Sequence, residues 1–242
     1  MKLDVLAIGA HPDDVELGCG GTLALLAREG RKVGILHLTR GERGTRGTAE
    51  ERLAEAEAAA QALGAVELAF LDCGDGGLRT GSAEEDALIE ILRRFRPELV
   101  LGPTPHDRHP DHGRAHALVE AACFYAGLRN RGDGEAYRPA ALFSYMQHDL
   151  FTPSFLVDVT SAWDAKLASL AAYRSQLHQP DQKEEDETQP KTKIASPEFR
   201  LAVEGRTRHF GLLVGAAFAE PFWSRLPLAV RDPMSLLPGG VR

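Results

Sequence analysis

The chain has few cysteines and fewer positive than negative charges, and it contains no long apolar run. Its three cysteines, Cys19, Cys73 and Cys123, are odd in number and form no CxxC pair. That argues against a disulfide framework and suits buried free thiols in a reducing cytoplasm. No stretch approaches the roughly 18 apolar residues of a membrane span. The apolar part of "MKLDVLAIGAHPDD" is too short for a signal peptide. Lys and Arg number 28 against 35 Asp and Glu, a formal net charge of -7. Binding to a phosphate backbone needs a basic face, and the bulk charge offers none. The expectation is a soluble cytoplasmic protein with neither a nucleic-acid nor a membrane partner.

What is present is ordinary globular composition: 242 residues, 43% hydrophobic and 26% charged, enough for one large domain. Strand-like and helix-like segments alternate through the first half. "LDVLAIG" (Leu3–Gly9) reads as a buried strand and Val15–Glu29 as a helix closed by Gly30. Lys32–Leu38 is a second strand. Thr48 and Glu51 have the spacing of a capping box, and Gly64 ends the helix they open. Strands over Val66–Leu71 and Glu98–Pro103 and helices over Ser82–Phe95 and from His112 to about Gly127 continue the pattern. This alternation predicts an α/β, Rossmann-like three-layer fold with a mostly parallel sheet over residues 1–127. Residues 128–242 are expected as a smaller C-terminal α/β appendage of the same domain. It would hold strands "ALFSY" and "SFLVDV", helices over Trp163–Gln176 and Glu198–Phe210, and a mobile charged loop over Asp181–Lys193. No internal repeat of solenoid period is present.

Two loops at predicted strand ends carry nearly the same tetrapeptide. "HPDD" (His11–Asp14) follows the first strand and "HPDH" (His109–His112) the fourth. Ligands of open α/β sheets bind beyond the carboxyl ends of strands. A turn opening a helix aims His11 and Asp14 at one point, and His112 would be a third ligand. Two imidazoles, one carboxylate and a position left for water make a catalytic zinc pattern rather than a closed structural one. Asp13 would accept the water's proton. A protonated His109 would steady a tetrahedral oxyanion, with Asp111 orienting its ring.

A lone HPDD is equally a turn, since Pro–Asp forms turns and Asp caps helices. Two rivals stay open. "GCGG" (Gly18–Gly21) hints at a dinucleotide loop, but the GxGxxG spacing is absent and two Asp residues would face the phosphates. A binding module with a scaffold metal would not need Asp13 and His109 beside the ligands. Other residues have plainer readings: Cys19 as a buried small residue, His37 as a satisfied histidine, and Arg43 and Arg46 as solvated loop charges. His106 and His148 are possible pocket neighbours.

The motifs "AHPDDVELGCGGTLA" and "PHDRHPDHGRAH", supported by "LTRGERGTRGT", "LDCGDGGL", "YRSQL" and "GAAFAEPF", resemble the LmbE-like, PIG-L-type N-acetylglucosaminyl deacetylases. The resemblance implies a zinc site at His11, Asp14 and His112, with other divalent ions accepted. It also implies Asp13 as general base and His109 with Asp111 at the oxyanion. It points to Arg52 and Asp75 as sugar contacts and Glu42 as a further pocket residue. "RHPDH" is similar to the bacillithiol-pathway branch, where Arg108 would meet the malate carboxylate of N-acetylglucosaminyl-malate. The alternatives are deacetylation of free N-acetylglucosamine or chito-oligosaccharides, and amidase action on thiol conjugates. Resemblance also suggests a homo-oligomer, trimeric or hexameric.

Overall fold

The structure, a computed structural model, describes residues 1–179 and 190–236. Most of the charged run expected as a mobile loop, residues 181–189, lies outside the described residues.

Seven strands form one sheet: β1 (Val5–Gly9), β2 (Val33–His37), β3 (Glu67–Phe70), β4 (Leu99–Gly102), β5 (Ala141–Tyr145), β6 (Phe155–Asp158) and β7 (Ala219–Trp223). Their order is β3-β2-β1-β4-β5-β7-β6. The first five run parallel, while β7 is antiparallel to both β5 and β6. The helices are α1 (Asp14–Arg28), α2 (Ala49–Leu63), α3 (Ser82–Phe95), α4 (Pro110–Tyr125), α5 (Trp163–Ala172) and α6 (Pro197–Val214). The residues after 127 therefore do not stand apart: their three strands extend the same sheet.

β1 is apolar and buried throughout because helices cover both its faces. Leu6 and Ile8 pack with Leu88 and Leu92 of α3 and Leu118 and Val119 of α4. Val5 and Ala7 pack on the other face with Val15, Cys19 and Leu23 of α1 and Leu63 of α2. The chain passes from β1 outward to β2 and β3, then returns to place β4 on the other side of β1. The loops after β1 and β4 thus stand side by side at the switch point of the sheet, the position where ligands of open α/β sheets bind.

The α2 capping box forms: Glu51 N donates to Thr48 Oγ1 (3.1 Å) and Thr48 N to Glu51 Oε2 (2.8 Å). Gly64 closes the helix at φ 74°. The glycines of "GCGG" serve packing. α1 kinks at Cys19 (φ -143°), and Gly21 N and Thr22 N donate to the Glu220 carboxylate (2.9 and 2.7 Å). Glu220, on β7, caps the second half of the helix and is paired with buried Lys166. A Cβ at Gly18 would stand 2.1 Å from the Tyr145 ring. α5 ends at Ala172, short of the expected Gln176. The next turn is captured by distant groups: Tyr173 OH donates to Glu16 Oε1 (3.1 Å), and Ser175 N and Oγ to Glu55 (2.6 and 2.7 Å). α6 runs longer than Glu198–Phe210, from the Ser196 cap to Gly215 at φ 73°.

Candidate active site and metal centre

β1 ends at Gly9, and residues 10–13 turn the chain into α1. His11 N donates to Asp14 Oδ2 (2.8 Å), closing that turn. Asp13 holds φ 102° and ψ -23° at the helix N-cap, without a side-chain capping bond. Such a backbone costs a non-glycine residue on the order of 1–3 kcal/mol, so its surroundings must impose it. Part of the restraint is Arg52 of α2, whose guanidinium donates to Pro12 O (3.1 Å) and Gly41 O (2.6 Å). Gly41, at φ 67°, admits that approach, since a Cβ there would lie 1.8 Å from Arg52 Nη1. The Asp13 carboxyl is buried, and none of its oxygens has a hydrogen bond among the described residues. Burial, with the charge of Asp14 added, raises its pKa to about 7 against the opposing pull of Arg52, His11 and His112.

Asp14 faces two imidazoles. Its Oδ2 is 3.4 Å from His11 Nδ1, and its Oδ1 is 3.3 Å from His112 Nε2. Each ring has a carboxylate behind it. His11 Nε2 lies 3.2 Å from Asp75 Oδ1 and 3.4 Å from Asp111 Oδ2, and His112 Nδ1 lies 2.9 Å from Asp107 Oδ1. Burial opposes charge on both rings, yet the carboxylates outweigh it. His11 is raised well above an ordinary histidine, and His112 rises to about 9. Burial is likewise outweighed at Asp107 and Asp111, whose pKa values are held below the usual carboxylate range by the histidines and by backbone donors. Ring nitrogens of His11, His109 and His112 all fall within 4.8 Å of one another. Imidazoles oriented by outer carboxylates, next to a shared carboxylate, fit a divalent cation.

His109 caps α4, and its Nδ1 accepts the Asp111 N–H (3.3 Å). The neutral ring therefore carries its proton on Nε2. Burial and the nearby His11 and His112 charges lower its pKa, which without an ion favours the neutral ring over the protonated one expected. The expected role for Asp111 also changes. Its carboxylate accepts from Gly77 N (3.3 Å), Leu78 N (3.0 Å) and Arg114 (3.2 Å), and faces His11 rather than the His109 ring. The N-cap conformation brings the backbone, not the side chain, of Asp111 to His109.

Of the expected substrate contacts, Asp75 stands beside His11 with Arg43 N on its Oδ2 (2.7 Å). Arg52 is buried under the Asp13 turn on two carbonyls. The carboxylate of Glu42 binds Asp75 N (2.9 Å) and Arg40 N (3.1 Å), bracing the Asp75 loop. Arg108 is exposed, and its charge acts on neighbouring His148.

His148 stacks on His112, ring centroids 5.7 Å apart, and is half-buried, whereas His106 is exposed. Cys19 is buried as expected. His37 is not the satisfied histidine expected: it is fully buried with neither ring nitrogen bonded, and burial lowers its pKa to about 4. Arg46 is not simply solvated, since its Nε donates to Ser175 O (2.9 Å).

Two site residues escaped the sequence reading. Asp107 lies inside the second motif, five residues before His112, a spacing that offers a carboxylate to the same ring. Gln147 follows β5, where its strand-end position was the available signal, and its Nε2 donates to Asp14 Oδ1 (2.6 Å).

The sequence profile of the PIG-L family, described as GlcNAc-PI de-N-acetylase, matches residues 6–123. The chain is 34% identical over 189 residues to a diacetylchitobiose deacetylase of Thermococcus kodakarensis, covering 72% of this chain and 70% of that protein. It is 31% identical over 191 residues to a 4-oxalmesaconate hydratase of Pseudomonas putida, covering 72% and 74%. The crystal structure of a conserved protein of Thermus thermophilus superposes with a TM-score of 0.85 at 41% identity, covering 94% of this chain and 97% of that one. With both loops, the fold and these similarities in agreement, the chain belongs to the PIG-L (LmbE-like) deacetylase family.

Proposed function

We propose that this protein hydrolyses the acetamide of an N-acetylglucosaminyl conjugate in a metal-dependent reaction, with N-acetyl-α-D-glucosaminyl L-malate as substrate. The observation that carries the chemistry is Asp13: a buried carboxyl with no hydrogen bond among the described residues, next in sequence to Asp14, with a pKa of about 7. A group poised there gives and takes protons at neutral pH.

His11, Asp14 and His112 are the residues that would hold the ion. When bound, zinc or a similar divalent ion supplies Lewis acidity toward the acetamide carbonyl and acidifies water. Asp13 takes a proton from the attacking water as its oxygen bonds to the carbonyl carbon. The His109 Nε2–H donates to the oxygen that gains charge. Asp13 then returns the proton to the amide nitrogen as the C–N bond breaks, releasing acetate and a free amine. Asp75 stands at the sugar side, with Glu42 and Arg52 bracing the loops that frame it. Arg108, exposed at the rim, pairs bidentately with the malate carboxylate. The buried thiols suit a reducing compartment such as the cytoplasm.

The likeness to a hydratase supports a second reading, in which Asp13 handles the proton of water added to an unsaturated polycarboxylate. One assay separates the two. Zinc-loaded protein is incubated with N-acetylglucosaminyl-malate, diacetylchitobiose, free N-acetylglucosamine and 4-oxalmesaconate. Acetate released fastest from the malate conjugate is the expected result. Faster release from diacetylchitobiose moves the substrate to chito-oligosaccharides. Absence of acetate from all three sugars, with zinc bound, overturns the deacetylase assignment.

A further inference from the structure

We propose that Gln147 is a positioning residue of the metal centre, and that the short segment beyond β5 clamps two of its ligands at once. The proposal rests on the reading of His11, Asp14 and His112 as metal ligands. The backbone between α1 and β1 anchors one oxygen of Asp14, Oδ2, through His11 N (2.8 Å). The other oxygen, Oδ1, is the one that lies 3.3 Å from His112 Nε2, and its donor is the side-chain amide of Gln147 (2.6 Å). The carboxylate is thus held from both ends. The next residue acts on the other ligand: His148 N donates to Asp107 Oδ2 (3.0 Å), whose Oδ1 meets His112 Nδ1 (2.9 Å). β5 adjoins β4, so the chain leaving β5 passes the point where the first two loops meet.

Gln147 is 3% exposed, and its Oε1 is buried without a hydrogen-bond partner in the described structure. Turning the amide over would place that oxygen against the Asp14 carboxylate, so the orphan acceptor is the consequence of keeping the Nε2 bond. A residue present only to fill volume would be apolar, because an unpaired buried carbonyl destabilises the fold.

The test compares wild type with Gln147→Leu and with Gln147→Met, an unbranched variant retained if the first does not fold. Zinc affinity is measured by competition with a chromophoric chelator, the visible absorption of the cobalt-loaded protein reports coordination geometry, and melting of metal-free protein reports stability. The expected result is a 10- to 100-fold loss of zinc affinity, the scale of outer-shell ligand effects, with an altered cobalt spectrum. Metal-free melting should change little, because the unpaired carbonyl and the donor to Asp14 are lost together and their effects oppose each other. Unaltered zinc affinity and cobalt spectrum in the folded variant would overturn the proposal while leaving the metal centre intact. Wild-type protein that binds neither ion would overturn both.

Discussion

Asp107 Oδ1 lies 2.9 Å from His112 Nδ1, and this contact decides which face of the ring is available. With Nδ1 engaged, Nε2 is turned to Asp14. The carboxylate is itself fixed by His109 N (3.1 Å) and His148 N (3.0 Å), so the orientation of His112 depends on segments following both β4 and β5.

Metal binding should release protons. Without an ion, His112 has a pKa of about 9 and His11 is also raised, so both rings are largely charged at pH 7. A ligand nitrogen must be neutral, and zinc affinity is therefore expected to rise with pH and to level off above about 9. Calorimetry in buffers of different ionisation enthalpy should show net proton release at pH 7. Zero release would contradict the assignment of these rings as ligands. The same shift sets a sign for the metal-free fold. The stabilisation from charged His112 is complete below its unfolded pKa of 6.5 and is lost as pH rises through about 9.

Asp13→Asn removes the proposed proton carrier and keeps the shape. Turnover is expected to fall about 10²- to 10⁴-fold, the range for loss of a general base, with zinc affinity changed by only a few-fold. Steady-state rates and chelator competition on the same preparation check both. A variant that turns over normally would remove Asp13 from the reaction.

Arg108→Ala tests the malate carboxylate contact. It should raise KM for N-acetylglucosaminyl-malate about 10-fold or more while leaving diacetylchitobiose unaffected, because only the first offers a carboxylate for bidentate pairing. Equal changes for both substrates would sink the assignment.

Glu16 is a stability prediction away from the ligands' own chemistry. Burial, reinforced by Asp13 and Asp14, lifts its pKa from 4.5 to about 8, although its own backbone and Tyr173 OH favour the charged form. The folded state therefore keeps a proton that the unfolded state loses as pH rises above 4.5, and stability declines between those values. Glu16→Gln should stabilise metal-free protein near pH 8 by on the order of a few kcal/mol and have little effect near pH 4.5. Paired thermal melts at the two pH values decide it.

Local features were readable from sequence where their causes were local. The Thr48–Glu51 box and Gly64 fix α2 through contacts three or four residues apart. The end of α5 was not readable, because Tyr173 is drawn from the helix by Glu16, and Ser175 by Glu55, far away in the chain. Asp111 shows the same limit. Its carboxylate turns to His11 and the Gly77–Leu78 backbone, groups the sequence does not place beside it.

The sequence by itself determined two His- and Asp-bearing tetrapeptides at two strand ends, because a strand, a turn and a helix start each have short-range signatures. Tertiary structure decided that those ends meet. Parallel pairing of β1 with β4 sets Val5 against Leu99 and brings the two loops together across almost a hundred residues of chain. It also decided what stands behind each of these side chains. Asp111 and Asp75 back His11, Asp107 backs His112, and Gln147 from a third strand end holds Asp14. Those partners are chosen by burial: in a crevice largely closed to water, every charged ligand needs a hydrogen-bond partner, and only the folded sheet says which is near.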